Sequence, residues 1–473
     1  MRDRSAARLM IQFFNTYSRQ VESFRPVDPD GKRVTIYTCG PTVYAYAHIG
    51  NLRTFLFEDL LDRHLTARGF DVVRVMNITD VDDKTIRDSR AAGLPLAEFT
   101  SNYTRAFFED LETLRIKAAL DYPRATAPEN IARMIEMIQQ LVDQDIAYQA
   151  EDGSVYFRIN RFVEYGRLAH LNLEELRPSG RVRSDEYEKE HVGDFALWKA
   201  WDQADGDVGW PSPWGKGRPG WHIECSAMAT RLLGPEIDIH CGGVDNIFPH
   251  HEAEIAQSES CTHRKFVHYW LHSAHLLVEG QKMSKSLGNF YTLRDLRAKG
   301  FTGREVRYAL IRVNYRLPLN FTFDGMVEAR QSLLRIDEWL QRLRDLAGQA
   351  APDPTYAQSD RFFEALDDDL NISAALAEVF VQVRETNQQM DLNQLTPGQA
   401  AALLRWWEPI NYILQIQKAE VAIPPAVQEL ITAREQARAN RDWQLSDRLR
   451  KQIESLGWTV KDTKEGQKAS LLP

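Results

Sequence analysis

Two hydrophobic periods take turns near the start of the chain. Arg33-Val34-Thr35-Ile36-Tyr37 reads as a strand and ends on the turn residues Cys39-Gly40-Pro41. From Ile49 to Arg68 the apolar positions move to helical spacing, with Leu52, Phe55, Leu56 and Leu60 on one stripe and Asp59 and His64 among them. Asp71-Val72-Val73-Arg74-Val75-Met76 then reads as a second, buried strand. Strand, helix and strand within about forty residues form a βαβ unit, which implies a parallel sheet with a right-handed crossover.

The alternation breaks between about Thr113 and Trp221, where a helix near Pro128–Asp145 leads to a hairpin at Ala147–Arg158 and then a polar stretch. This segment reads as an insertion. The α/β rhythm resumes with a strand at Ile237–Cys241, a helix from Pro249 and a strand at Phe266–His272. After Asn289 the pattern is almost wholly helical, with linkers at Ala351-Pro352-Asp353-Pro354 and Ile423-Pro424-Pro425 and a short strand at Gly457–Val460. The fold class is therefore α/β. A Rossmann-like parallel-sheet domain over 1–315 carries an insert at about 113–221, a helical bundle follows over 316–420, and a small module closes over 424–473.

The 473 residues exceed one compact core. No apolar run is long enough to span a bilayer, which excludes a membrane protein. The start, MRDRSAARLM, is basic but lacks the apolar core of a secretory signal, and Met10 is a candidate initiator. Four cysteines suit a reducing cytoplasm, where a thiol is a buried hydrophobe, a metal ligand or a nucleophile. The net charge of −9 argues against a general basic coat, yet a basic excess between Ile431 and Lys464 leaves room for a local RNA contact.

Two short strings bracket the sheet. His48-Ile49-Gly50-Asn51 falls where a strand hands over to a helix, where free N–H groups favour a phosphate and Gly50 admits close approach. Lys282-Met283-Ser284-Lys285-Ser286, between Gly280 and Gly288, is a loop that brings two cations to a polyphosphate. A third set, Cys39, Cys225, His250 and Glu254, offers two thiols, an imidazole and a carboxylate, a donor set that suits Zn²⁺. His250 and Glu254 share a helical face at i,i+4, but His251 and Glu254 at i,i+3 are an equally legal pair, and the cysteines also read as buried hydrophobes.

The order and βα context of the first two strings resemble the class I aminoacyl-tRNA synthetases. The likeness extends through Tyr37-Thr38-Cys39-Gly40-Pro41-Thr42-Val43-Tyr44, Asn77-Ile78-Thr79-Asp80-Val81-Asp82-Asp83-Lys84, Gly220–Ser226 and Phe248–Glu254, which are similar to the cysteinyl-tRNA synthetases from about Phe14 to Asp462. The resemblance implies a cysteine–tRNA ligase that uses Mg²⁺-ATP, L-cysteine and tRNA(Cys) and holds one zinc ion per chain through Cys39, Cys225, His250 and Glu254. It places Thr79, Trp221 and His240 around the amino acid and Asp245 near the adenosine. His48, Gly50, Asn51, Lys282 and Lys285 then handle the phosphates, with His48, Asn51, Lys282 and Lys285 in the catalytic roles. The helical half resembles an anticodon-binding domain, which makes Arg438, Trp443, Asp447 and Asp462 the candidate anticodon contacts. Arginine and aspartate can read base edges, and tryptophan can stack on an unpaired base.

A zinc-bound thiolate explains selection, because shape alone separates cysteine from serine by only about 1–3 kcal/mol. Glu254 is then the ligand expected to yield when the substrate sulfur arrives. No segment is long enough for a separate editing domain. Asn51 stands where the family signature has a second histidine, and Cys241 stands where a glycine is expected. Phe363–Asn371 resembles the acidic junction of the helical bundle and also reads as a capped helix start after Asp369. A cytoplasmic monomer is expected. The rival readings are a ligase joining cysteine to an amino sugar, a nucleotidylyltransferase, and a noncatalytic tRNA-binding paralogue. The helical half, the candidate zinc set and the presence of all the motifs argue against them in turn.

Overall fold

The computed structural model of the chain describes residues 10–171, 193–284, 287–356, 359–419, 423–463 and 466–471. Lys285, Ser286 and Lys464 lie outside the described residues. Internal packing separates two units, Met1–Ile416 and Gln417–Pro473.

In the first unit a hairpin, β1 (Gln12–Asn15) with β2 (Gln20–Ser23), precedes β3 (Arg33–Thr38), α1 (Ile49–Ala67) and β4 (Asp71–Met76). α2 (Asp83–Ala91), α3 (Leu96–Thr113) and α4 (Pro128–Asp143) follow. The interrupted region folds as an antiparallel sheet of β5 (Ala147–Gln149), β6 (Val155–Phe157), β7 (Phe195–Ala200) and β8 (Gly217–Pro219). The chain then runs through α5 (Trp221–Leu233), β9 (Ile237–Gly243), α6 (Glu252–Thr262) and β10 (Val267–Ser273).

The parallel sheet has the order β10-β9-β3-β4. Its alternating side chains feed two cores. Val34, Ile36, Ile239, Cys241 and Leu271 meet Phe57, Leu61 and Leu65 of α1 on one face. Tyr37, Val75 and Trp270 meet the buried stripes of α4, α5 and α6 on the other. Covering both faces in this way makes the sheet doubly wound and leaves its carboxyl edge as the natural ligand crevice.

After β10 come β11 (Leu276–Val278) and β12 (Gln281–Lys282), then α7 (Leu293–Ala298), α8 (Gly303–Ile311) and β13 (Leu319–Phe321). The long helices are α9 (Phe323–Ala347), α11 (Ile372–Asp391) and α12 (Pro397–Leu414), with the short α10 (Arg361–Asp367) between the first two. One continuous core joins this bundle to the sheet domain, from Val43, Ile49 and Leu52 through Trp339 and Trp407 to Ile416. Buried charge ties the same layers together. Asp59 on α1 accepts from Arg307 on α8 at 2.6 Å, and Arg307 also donates to the Leu414 carbonyl of α12 at 2.6 Å. The acidic junction works similarly. Asp367 accepts from Arg68 and meets His64, while Asp369 accepts from Tyr315 and Arg316. Asn371 caps α11, the capped helix start expected after Asp369.

The second unit holds α13 (Pro425–Ala439), α14 (Trp443–Ser455) and an antiparallel pair, β14 (Trp458–Thr463) with β15 (Gly466–Leu471). Its core is small: Val427, Ile431, Ile453, Trp458 and Val460. No helix of the described residues is long and apolar enough to cross a membrane.

Candidate active site

The carboxyl side of the parallel sheet gathers the expected metal and amino-acid residues. Cys39 follows β3, Thr79 follows β4, His240 lies near the end of β9, and Cys225 is on α5. His250 sits on a short irregular helical turn at 247–251 that runs into α6, the element carrying Glu254. The sequence places the start of this helix at about Pro249. The non-helical residue of that turn is Phe248, with φ −137° and ψ 133°, one residue before Pro249, and both His250 and His251 are buried.

One ligand atom each from Cys39, Cys225, His250 and Glu254 lies within 4.8 Å of the others. A second quartet, Cys39, His240, His251 and Glu254, meets the same criterion and shares two members with the first. Glu254 is the hinge between them: Oε1 is 3.0 Å from His250 Nε2, and Oε2 is 3.0 Å from His240 Nε2. Burial alone would raise its pKa, but His240 and His250 outweigh that and bring it down to about 2. His250 is pushed up to about 10, with Glu254 and then Cys225 overcoming the burial that would lower it. Cys225 is the thiol that ionises: a hydrogen bond from Cys39 brings it down to about 6, while burial holds Cys39 well above the usual thiol range. Two adjoining negative groups and one cationic ring form a charge pattern that a divalent cation can also satisfy, with donors of the soft and borderline types that zinc prefers.

Three further histidines complete the pocket: His251, which the sequence offered as an alternative partner of Glu254, and His222 and His272, to which it assigned no role. His222 Nδ1 lies 2.9 Å from His250 Nδ1. His251 Nε2 lies 3.3 Å from Cys39 Sγ, and its Nδ1 lies 2.8 Å from His272 Nε2. Burial lowers all three, His272 to about 3, so each is a neutral imidazole. Their positions in the sequence show no shared period, and only the fold brings them together. Trp221 stacks on His250 with ring centroids 4.2 Å apart, and Trp270 stacks on His240 at 4.7 Å. Cys241, unusual at its position, is buried on the opposite, α1 face of the sheet and belongs to the hydrophobic core there.

Thr79 is also buried. Its hydroxyl donates to Glu224 Oε2 at 3.0 Å and accepts from Asn77 Nδ2 at 3.1 Å. Gly40 packs against Asn77 so closely that a β-carbon would fall 1.6 Å from the Asn77 carbonyl oxygen.

The two nucleotide strings adjoin each other. His48 caps α1, with Asn51 N donating to His48 Nδ1 at 3.1 Å and His48 N donating to Asn51 Oδ1 at 3.2 Å. An acceptor at Nδ1 puts the proton of the neutral ring on Nε2, and an acceptor at Oδ1 leaves the Asn51 amide as a donor. A β-carbon on Gly50 would stand 3.4 Å from the Met283 methyl group, which places the loop after β12 beside the helix start. Asn289 bridges that loop, accepting from Ser284 N at 2.8 Å and donating to the Lys282 carbonyl at 3.2 Å. Lys282 is exposed, and Asp245 is exposed on the turn after β9.

In the second unit, Asp462 accepts from Arg434 at 2.8 Å and from Arg438 at 3.2 Å, and the Arg438 guanidinium lies 5.6 Å from the Trp443 ring centre. Asp447 is exposed on α14. Arg434, buried and bidentate on Asp462, was not singled out in the sequence because its arginine looks like any other on a charged helix.

Comparison with known proteins bears on all of this. Residues 25–331 match the family described as the class I (C) tRNA synthetase catalytic domain, 361–415 the DALR domain, and 420–468 the cysteinyl-tRNA ligase anticodon binding domain. A cysteine–tRNA ligase from Protochlamydia amoebophila is 50% identical over 98% of this chain and 99% of its own length. One from Chlamydia muridarum is 50% identical over 96% and 98%. Among solved structures, Mycobacterium tuberculosis methionyl-tRNA synthetase in complex with methionyl-adenylate has a TM-score of 0.61 at 16% identity, over 81% of this chain and 90% of that one, a likeness of fold. The chain belongs to the cysteinyl-tRNA synthetase family of class I aminoacyl-tRNA synthetases.

Proposed function

We propose that this cysteine–tRNA ligase selects its amino acid at a zinc ion held by Cys39, Cys225, His250 and Glu254. The observation that carries the reading is the approach of two sulfurs, a ring nitrogen and a carboxylate oxygen to within 4.8 Å of one another. The alternative quartet has one sulfur and two imidazoles, so the two-thiol set is the stronger zinc site. Zinc there would supply a thiophilic Lewis acid that a cysteine thiolate satisfies and a serine hydroxyl does not.

The ligase joins cysteine to its tRNA with ATP as the energy source. The cysteine carboxylate attacks the α-phosphate of Mg²⁺-ATP and pyrophosphate leaves. The 2′-hydroxyl of the terminal adenosine then attacks the activated carbonyl. No enzyme nucleophile takes part, so the chain contributes positioning and charge. His48 Nε2, the Asn51 amide and the N–H groups at the start of α1, approached over Gly50, bind the phosphates. Lys282 and Lys285 neutralise the departing pyrophosphate, and Asp245 lies beside the adenosine. Thr79, Trp221 and His240 surround the amino acid. Residues 1–315 form the catalytic domain with its insert, 316–420 the helical bundle, and 424–473 the anticodon module, in which Arg438, Trp443, Asp447 and Asp462 meet the bases.

Cysteine-dependent ATP–pyrophosphate exchange across a panel of amino acids, run beside metal analysis of the purified protein, tests the reading. One zinc per chain and exchange with cysteine but not serine are expected, with Cys225→Ser losing both the metal and the discrimination. Full activity and selectivity in metal-free protein would overturn it.

A further inference from the structure

We infer that Glu224, together with Thr79, forms the subsite for the substrate's ammonium group. The inference rests on the placement of Thr79 beside the amino acid. Glu224 is fully buried on α5, next in sequence to Cys225. Its Oε2 accepts from the Thr79 hydroxyl at 3.0 Å, but Oε1 has no hydrogen-bond partner. A buried carboxylate oxygen without a donor is costly, and such groups in native proteins call for a missing partner.

Thr79 shows what that partner must be. A hydroxyl has one proton and two lone pairs. The proton goes to Glu224, and Asn77 Nδ2 occupies one lone pair at 3.1 Å. The backbone of Thr79 is engaged as well, its N–H with the Pro41 carbonyl at 3.1 Å and its carbonyl with Val43 N at 3.1 Å. What remains on the hydroxyl is a single acceptor site, lying beside the single unfilled carboxylate oxygen. Two adjacent acceptors and no donor describe a receptor for N–H groups. A carboxylate paired with a hydroxyl acceptor suits a cationic N–H donor best, because charge-assisted hydrogen bonds are the stronger ones. The substrate carries one cation, its α-ammonium group. Asn77 holds this pair in register with the thiol site, because its Oδ1 accepts from Gly40 N at 2.9 Å, directly after Cys39.

Two fragments of the substrate test this as inhibitors of cysteine-dependent pyrophosphate exchange. Cysteamine keeps the amine and thiol, and 3-mercaptopropionate keeps the carboxylate and thiol. Glu224→Gln should weaken cysteamine by about tenfold or more while moving 3-mercaptopropionate by less than about twofold. Equal weakening of both, as a folding or metal defect would cause, overturns the assignment, and so does no change in either. The unaltered protein gives a check that needs no variant: 3-mercaptopropionate should bind about 100-fold or more weakly than cysteine, and comparable affinity would overturn the subsite. Thr79→Val separates the two layers of the argument. If it leaves the KM for cysteine unchanged, Thr79 is not at the amino acid and both readings fall. If it raises KM while Glu224→Gln stays unselective, only the role of Glu224 falls, and the ligase reading stands throughout.

Discussion

His222 Nδ1 faces His250 Nδ1 at 2.9 Å, so one buried imidazole holds another by a single shared proton. Burial keeps His222 well below the usual histidine range, and its neighbours hold His250 up to about 10, so His250 is the donor. That bond fixes the ring with Nε2 turned to Glu254, 3.0 Å away. Metal-ligating histidines depend on such partners for tautomer and orientation, and losing one typically costs 10–100-fold in affinity. His222→Phe should therefore release zinc to a chelator at roughly 10–100-fold lower chelator concentration than the unaltered protein. Equal retention of metal would show that Trp221 stacking alone orients His250.

A second prediction concerns pH. Glu58 on α1 is fully buried, and desolvation raises it from 4.5 to about 8, with Arg74 and Thr38 opposing only in part. Between those values the unfolded chain has released a proton that the folded chain keeps. Stability contributed by this group thus falls as pH rises from 4.5 to about 8 and is level beyond it. Glu58→Gln removes that slope. The stability of the variant relative to the parent should rise on the order of 3 kcal/mol between pH 5 and pH 8.5, read as the change in the gap between their melting temperatures. A constant gap would mean that Glu58 is ionised in the folded protein.

The βα core was legible because its signals are local. β4 runs over Asp71–Met76, the segment read as a strand, and α1 starts at Ile49, where the helical spacing begins. Asp59 and His64 fall among the apolar positions of α1, and the reason lies far along the chain. Arg307 and Asp367, which pair with them, come 248 and 303 residues later. β7 and β8 were missed for a similar reason, since strands of 6 and 3 residues gain their meaning from pairing across the insertion. The strand expected at Gly457–Val460 is one arm of a hairpin whose other arm, Gly466–Leu471, has a polar composition. In the site, the residue types at Cys39, Cys225, His250 and Glu254 were visible, and so was His251 as a rival partner of Glu254, but the imidazoles of His222 and His272 were not. A buried histidine in a strand or helix carries no mark of what the fold will set against it.

The loop after β12 gives a third prediction. Lys285 lies outside the described residues, but its neighbours Met283 and Lys282 stand beside Gly50 and the Asn289 bridge. Cationic charge here matters most as pyrophosphate departs, so Lys285→Ala should slow single-turnover adenylate formation by roughly 10–100-fold with little change in cysteine affinity. Reduced cysteine affinity with an unchanged rate would place the lysine at the amino acid instead.

The last prediction separates the labour of the two units, and packing decides where to cut. The Pro-rich stretch at 351–354 reads as a linker, yet the helices after it share one core with the sheet domain through Leu366, Trp407, Ile410 and Ile416. Arg307 on α8 and Arg63 on α1 also hang on carbonyls of α12, those of Leu414 and Tyr412. A chain ending at Pro354 would expose this core and leave buried arginines without their acceptors, at a cost of about 1–3 kcal/mol for each lost partner. A chain ending at Ile416 leaves the first unit's core whole and removes only the unit built on Val427, Ile431, Ile453, Trp458 and Val460. The candidate metal ligands and the nucleotide strings lie in the part retained, and the candidate anticodon contacts Arg438, Trp443, Asp447 and Asp462 lie in the part removed. The shortened chain should keep cysteine-dependent pyrophosphate exchange near the full rate and lose tRNA charging by about 100-fold or more, because binding energy from distant contacts orients the reacting end. Charging at the full rate by the shortened chain would show that the second unit does not read the tRNA, and loss of exchange as well would show that it is needed to build the catalytic site.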